Sequence, residues 1–183
     1  MKNICLLIII TLFISSCSNN LSRSDAKSQI ISELKYPQDD LMRLLIEDRT
    51  IHTNSTINQW QKFKNRQLLT YQRFGQKSNG YFGKVTIGGN GVRAELTPKG
   101  NRYVVSEPKT SGYEKFVMVK KAKLEFVEIT RIQIFEEMNI AEVNYKIKRT
   151  NISPFGKAMG IKEETIDKKA TFNKFDDGWR IKK

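Results

Sequence analysis

The most regular pattern of hydrophobic and polar positions lies in the C-terminal half of the chain. Four apolar residues alternate with four polar residues over 141–148. A period of two is typical of an antiparallel strand that buries one face and leaves the other in water. The apolar positions are Ala141, Val143, Tyr145 and Ile147, and the polar positions are Glu142, Asn144, Lys146 and Lys148. We therefore expect a half-buried strand, entered through a turn at 136–139.

Further strands are indicated on both sides of this segment, where β-branched and aromatic residues are enriched. Before it, they cover 116–119, 124–127 and 129–135, which form one strand or several. After it, a loop is expected at 151–160 and a strand at 164–175. Asp176-Asp177-Gly178 is typical of a tight turn, in which Gly178 is expected at positive φ. Trp179 then starts the return strand.

The N-terminal part has apolar residues at helical spacing in three segments. The first helix is predicted from an N-cap at Ser24 to Tyr36-Pro37, because a proline disfavours helical conformation in the residue before it. The second is predicted over 39–46, since Asp39 and Asp40 suit a helix N-terminus and apolar residues follow. The third is predicted over 56–69, with an apolar stripe at Ile57, Trp60, Phe63 and Leu68.

Glycines punctuate the segment after the third helix. Strand-like pieces at 69–74, 81–87 and 92–96 are predicted as hairpins, with a tip at 88–91. Residues 107–112 are polar and contain a proline and a glycine, which is typical of a domain boundary. The predicted fold class is α+β. N-terminal helices with a β-hairpin wing occupy 25–106, and a C-terminal antiparallel β-meander occupies 107–183.

The first seventeen residues have the order of an export signal. A lysine at position 2 is followed by an apolar run over 4–14, which is too short for a stable membrane span. The residues Ile14-Ser15-Ser16-Cys17 resemble the lipobox of bacterial lipoproteins. The alternative is an ordinary secretory signal with a chance cysteine. Cys17 argues against it, because an unpaired cysteine is a liability in an oxidising compartment.

The lipobox resemblance implies a processing route and a location. The signal peptide, residues 1–16, would be cut between Ser16 and Cys17, and Cys17 would be acylated as the membrane anchor. Residues 17–24 would form a lipidated tether. Ser18 is not the aspartate that retains enterobacterial lipoproteins in the inner membrane, so the resemblance favours an outer-membrane lipoprotein facing the periplasm.

The chain is strongly basic, with 32 basic and 19 acidic residues. Removing the signal takes away Lys2 and leaves a charge of +12. An exported basic protein meets anionic lipid, acidic cell wall and envelope proteins, so we do not expect nucleic acid as its partner. The candidate contacts with such an anionic surface are Lys146, Lys148 and Lys168, which are expected on the solvated face of the sheet. The alternative is that the basic residues serve solubility only.

Two weaker resemblances concern the folded part. A third helix, a glycine-rich hairpin and the turn Leu96-Thr97-Pro98-Lys99-Gly100 resemble a winged-helix domain over 24–105. That resemblance implies phosphate contacts at Lys62, Lys64, Arg66, Arg73 and Lys84, although the export signal argues against DNA. The ending at 170–181 resembles the last hairpin of NTF2-like and cystatin-like α+β domains.

Few residues suit catalysis or metal binding. His52 is the one histidine, no zinc-ligand spacing occurs, and the acidic pairs fall where caps or turns are predicted. We expect no cofactor, no metal and no catalytic site. The leading hypothesis is a non-enzymatic outer-membrane lipoprotein that binds an anionic envelope component or a protein partner. One alternative is a small-ligand-binding or inhibitory NTF2-like domain with Trp179, Phe172 or Tyr145 in an open pocket, and another is an envelope enzyme that uses His52 or an acidic pair.

Overall fold

A computed structural model describes residues 20–49, 53–80 and 83–182. Its fold is α+β, as the sequence predicts: a few helices pack on antiparallel strands that end in a C-terminal meander. The helices are α1 (Arg23–Glu33), α2 (Thr53–Lys64), α3 (Pro98–Asn101) and α4 (Pro154–Ala158), with a 3-10 turn at Glu136–Met138. The strands are β1 (Gln38–Asp48), β2 (Leu69–Gly80), β3 (Gly83–Leu96), β4 (Lys109–Ser111), β5 (Glu114–Phe135), β6 (Ile140–Thr150), β7 (Glu164–Phe175) and β8 (Gly178–Ile181). The signal segment, Cys17 and His52 lie outside the described residues.

One antiparallel sheet contains all eight strands of the described residues. Seven of them follow the order β2-β3-β1-β5-β6-β7-β8, and β4 pairs with β5 beside this path. Strand β1 lies between β3 and β5, with Leu44 opposite Val117. The sheet is therefore continuous across residue 107, and the predicted segments 25–106 and 107–183 share it.

Two clusters of buried side chains hold the helices on this sheet. The first joins α1 to β6 and β7, and its most buried members include Ile30, Ile147 and Phe172. The second joins α2 and α4 to β1, β2, β3 and the start of β5, around Trp60 and Phe155. Helix α1 therefore packs with the C-terminal strands, although it precedes β1 in the chain.

The predicted second helix over 39–46 is wrong, because these residues form strand β1. The local pattern of an acidic start and apolar residues fits a helix, but pairing with β5 over most of its length makes the strand form more stable here. Asp39 and Asp40 cap no helix. They make ion pairs of 2.7 Å with Lys120 and 2.9 Å with Lys121 of β5. Among the described residues before the glycine-rich hairpin there are two helices, whereas a winged-helix domain has three.

The predicted hairpin tip at 88–91 is also wrong, since these residues lie inside strand β3. The β2–β3 register shifts there, between Phe74 and Gln76 of β2. A Cβ on Gly91 would lie 2.4 Å from the Phe74 ring. The absent side chain at Gly91 thus allows Phe74 to pack across a β-bulge.

The C-terminal prediction is confirmed in most details. The apolar positions of β6 are buried, β7 has the predicted bounds, and Gly178 has a φ of 129° in the last turn. Strand β5 is one strand of 22 residues, and register shifts against β1 and β6 explain its broken alternation. The loop predicted at 151–160 contains the short helix α4, whose N-cap is Ser153.

The first and third predicted helices are confirmed with shifted ends. Helix α1 begins one residue before Ser24, and its N-cap is Ser22. Its Gln29 side chain binds the backbone of the edge strand β8: it donates to Trp179 O at 2.7 Å and accepts from Ile181 N at 3.1 Å. This amide satisfies backbone groups that would otherwise be open for pairing with another chain.

Candidate anion-binding surface

The three lysines predicted to contact an anionic surface do not share one face of the sheet. Directly opposed residues of an antiparallel pair point to the same side. Lys146 and Lys148 lie opposite Glu128 and Glu125 on the solvent-facing side. Lys168 lies opposite the buried Tyr145, so it points to the other side, where α1 packs. The expected outward position of Lys168 beside the other two is therefore wrong.

The solvent-facing side of β5, β6 and β7, here called the outer face, carries matched charges. Lys146 lies 3.6 Å from Glu128 and opposite Asp167, and Lys169 lies 2.6 Å from Glu142. Five basic and four acidic residues occupy these cross-strand positions. They are Lys123, Arg131, Lys146, Lys148 and Lys169 against Glu125, Glu128, Glu142 and Asp167. The outer face is therefore rich in lysine but has a net charge of only +1.

The basic surplus of the chain lies elsewhere. No aspartate or glutamate occurs between Asp48 and Glu95, a stretch that contains eight basic residues. Residues 53–109 hold ten basic and two acidic residues, which is a surplus of eight out of the +12 expected for the mature chain. In the fold this stretch forms α2, the β2–β3 hairpin and α3.

Helix α2 presents its basic end because its other face is anchored in the second core. Trp60 and Phe63 are fully buried, and Trp60 Nε1 donates to Leu45 O of β1 at 2.9 Å. The sequence between and beyond these anchors contains Lys62, Lys64 and Arg66, all exposed. Cations at the end of a helix also complement its exposed carbonyl groups.

Two short helices add a cation each beside the end of α2. Lys99 of α3 donates to Arg66 O at 3.0 Å, and Arg66 Nη2 donates to Lys157 O of α4 at 3.4 Å. Close backbone packing fixes both helices. A Cβ added to Gly100 of α3 would lie 2.0 Å from Leu68 O, and a Cβ added to Gly156 of α4 would lie 2.4 Å from Lys121 O. We name the resulting set of Lys62, Lys64, Arg66, Lys99 and Lys157 the α2 cationic surface.

The α2 cationic surface has no acidic partner within the part of the chain that the structure describes. None of its five members forms an ion pair there, and all five are exposed. Lys64 Nζ lies 5.4 Å from the centre of the Tyr71 ring, and this aromatic contact supplies no negative charge. The α2 cationic surface therefore differs from the outer face, where acidic residues lie opposite the basic ones.

Two other basic residues of the acid-free stretch are compensated. Arg49 and Arg93 bind Glu47 at 2.6 and 2.9 Å, and both lie over the Phe74 ring. Burial alone would raise the pKa of Glu47, but hydrogen bonds and charge from the two arginines outweigh it and lower the pKa below the usual 4.5. Glu47 therefore stays ionised and neutralises part of the surplus at this position.

A cleft lies next to the cationic surface, between α2 and α4. It has a volume of about 400 Å³ and is lined by Leu45, Ser55, Thr56, Asn58, Gln59, Lys62 and Met159. Gln59 Nε2 lies 3.9 Å from Met159 Sδ and connects the two helices. The cleft has polar groups and one cation but no carboxylate in its lining.

The aromatic residues considered for a C-terminal ligand pocket are largely packed. Phe172 is fully buried and Tyr145 is 3% exposed, both beneath α1, and burial raises the pKa of Tyr145. Trp179 is partly buried against the same core. Within the described ranges, no three His, Cys, Asp or Glu side chains gather as a metal site. No helix in those same ranges is long and apolar enough to cross a membrane.

Sequence reasoning found only part of this surface. It selected Lys62, Lys64 and Arg66 through the winged-helix resemblance and did not select Lys99 or Lys157. The acid-free stretch before Glu95 is a signal that could have located the surplus. No family model matches the chain, and neither a curated protein nor a solved structure is significantly similar to it.

Proposed function

We propose that this chain is a non-enzymatic lipoprotein, anchored in the outer membrane through acylated Cys17, whose α2 cationic surface binds an anionic envelope component. The observation that carries the proposal is the set of five exposed cations for which residues 20–49, 53–80 and 83–182 supply no acidic partner. Lys62, Lys64 and Arg66 supply one helix end, and Lys99 and Lys157 flank it. The chemistry recognised is that of phosphate or carboxylate groups displayed on a surface.

Physical reasoning supports binding rather than solubility for this surface. A surface that serves solubility alone is expected to intersperse charges of both signs, as the outer face does. A cation near an anionic membrane surface contributes about 1 kcal/mol, so five of them support an affinity that a tethered protein can use. Guanidinium groups also form two parallel hydrogen bonds to one phosphate or carboxylate. Arg66 is therefore expected to bind one such group of the ligand.

The start of the folded part supports a position close to the membrane. Leu21 is buried in the first core, and Ser22 caps α1. Three residues, Ser18 to Asn20, then separate the anchor from the fold, and they span about 10 Å when extended. Acylation with several chains holds such a protein at the bilayer, since each buried methylene contributes about 0.8 kcal/mol.

Vesicle and sacculus sedimentation tests the proposal. The chain from Ser18 to Lys183, which keeps all described residues, is expected to bind phosphatidylglycerol vesicles or purified cell-wall sacculi and to leave phosphatidylcholine vesicles unbound. Binding should fall with salt, because the screening length shortens from about 10 Å at 0.1 M to about 3 Å at 1 M. Equal binding to neutral and anionic vesicles, without any salt dependence, would contradict the proposal.

A further inference from the structure

The cleft between α2 and α4 is continuous with the α2 cationic surface. Lys62 belongs to both, and Met159 in the cleft lies two residues after Lys157. Its polar lining comes from one side of α2, where Ser55, Asn58 and Lys62 are spaced by three and four residues. That spacing places the three side chains on one face of the helix. All three are exposed and make no hydrogen bond or ion pair within the described part of the chain.

The side chains of the cleft match a ligand with many hydroxyl and amide groups. Asn58 offers an amide N–H group and a carbonyl oxygen, Ser55 offers a hydroxyl that donates and accepts, and Lys62 offers a cation. Thr56 is not available, because its hydroxyl donates to the buried Asp48 at 2.5 Å. Leu45 and Met159 add apolar area beside these groups, and Met159 is 40% exposed.

The same composition argues against a fluid lipid surface as the ligand of the cleft. A helix that lies in a membrane interface carries large apolar residues opposite its basic face. In α2 the large apolar residues Trp60 and Phe63 are fully buried against the sheet instead. Its exposed positions are mainly amides, a hydroxyl and lysines, which form directional hydrogen bonds to fixed ring substituents.

We propose that the α2–α4 cleft binds a glycan whose rings carry hydroxyl, N-acetyl and carboxylate groups. This inference rests on the proposed function and names its ligand class. Asn58 and Ser55 would hydrogen-bond hydroxyl and amide groups, and the N-acetyl methyl would lie against Met159 and Leu45. Lys62 and the neighbouring cationic surface would take the carboxylates.

Neutral substitutions in the cleft separate this inference from general anion binding. Ser55→Ala, Asn58→Ala and their double variant keep the net charge, and Gln133→Ala on the outer face is the matched control. The probes are purified peptidoglycan sacculi, which carry these groups, and phosphatidylglycerol vesicles, which carry phosphate without sugar rings. We expect the double variant to bind sacculi about tenfold more weakly, to bind vesicles as before, and to melt at the wild-type temperature.

The outcomes of this experiment have different consequences. Loss of sacculus binding alone supports the glycan inference. If the double variant binds sacculi as well as wild type does, or if wild type binds vesicles but no sacculi, the glycan inference is overturned and the proposed anionic surface stands. If wild type binds neither probe in a salt-dependent way, the proposed function fails, and the glycan inference fails with it.

Discussion

The outer face of the C-terminal strands and the α2 cationic surface contain similar numbers of basic residues but differ in how these are compensated. On the outer face, Lys146 and Lys169 each have a carboxylate within 4 Å. On the α2 cationic surface no member has one among the described residues. The difference shows that a basic tract in a sequence does not locate a basic surface. Cross-strand and tertiary neighbours decide whether the charge is matched.

The register of the strands explains why the outer face is nearly neutral. Each outward basic residue of β6 lies opposite an acidic residue of β5, as Lys148 does with Glu125. Opposite charges at such positions contribute about 0.2 to 1 kcal/mol each, which favours this register over others. The charges of the outer face therefore stabilise the pairing of β5 with β6. No comparable strand pairing involves Lys62 or Lys157, which lie on helices.

The largest expected effect concerns Cys17, the proposed membrane anchor. Cys17→Ala should abolish acylation completely, because the thiol is both the acylation site and the processing determinant in lipoproteins. Metabolic labelling with a clickable palmitate measures this, with wild type as the control. Label in the alanine variant would mean that Cys17 is not the anchor, and the two surfaces would then have no enforced proximity to a membrane.

The next largest effect concerns the backbone packing that positions the α2 cationic surface, compared with a turn of the C-terminal meander. Gly100→Ala places a methyl group 2.0 Å from Leu68 O, so the backbone that positions Lys99 has to move. We expect a loss of about 3 kcal/mol in unfolding free energy. Gly178→Ala in the meander is the matched control: it has positive φ but no atom within 4 Å of the added Cβ, and it should cost about 1 kcal/mol. Urea unfolding measures both, and equal values would refute the close approach.

A third change leaves two cations of the outer face without acidic partners, as on the α2 cationic surface. Glu128→Gln with Glu142→Gln removes the carboxylate partners of Lys146 and Lys169. The outer face should then gain affinity for anionic vesicles of about 30-fold, from two unmatched cations at about 1 kcal/mol each. Glu136→Gln with Glu137→Gln in the preceding turn makes the same change in net charge and is the control. Equal gains in both variants would mean that total charge, and not its location, governs binding.

The smallest expected effect is a pH dependence at Glu47, which compensates Arg49 and Arg93. Because the folded pKa is lowered, the stabilisation is fully present above the unfolded pKa of 4.5 and is lost as the pH falls through the folded value. Wild type should therefore lose more stability than Glu47→Gln between pH about 7 and pH about 3. Urea melts at the two pH values measure the difference. An equal loss in the two proteins would show that these arginines do not depend on Glu47.

The sequence was sufficient where a pattern is local. The alternation of β6, the Asp176-Asp177-Gly178 turn and the apolar stripe of α2 each depend on neighbours within a few residues. The alternation of Ile166, Lys168 and Ala170 also places Lys168 on the apolar side of β7, so its side of the sheet could have been predicted.

The rest required contacts between distant residues. Strand β1 depends on β5, since Leu44 pairs with Val117, 73 positions away in the chain. The charge surplus was visible as an acid-free stretch, but Lys157 joins Arg66 only through the packing of Phe155 against Phe63, whose ring centres are 5.1 Å apart. Local propensity carries no information on such pairings.

The central claim is that the location of unmatched cations, and not their number, directs this protein to an anionic partner. Two variants test it most directly: Lys62→Gln with Arg66→Gln and Lys157→Gln on the α2 cationic surface, and Lys146→Gln with Lys148→Gln and Lys169→Gln on the outer face. Each removes three positive charges from the +12 chain. We predict that the first variant binds anionic vesicles or sacculi about 100-fold more weakly than wild type, and that the second changes binding by less than about threefold. Equal losses in the two variants would contradict the claim.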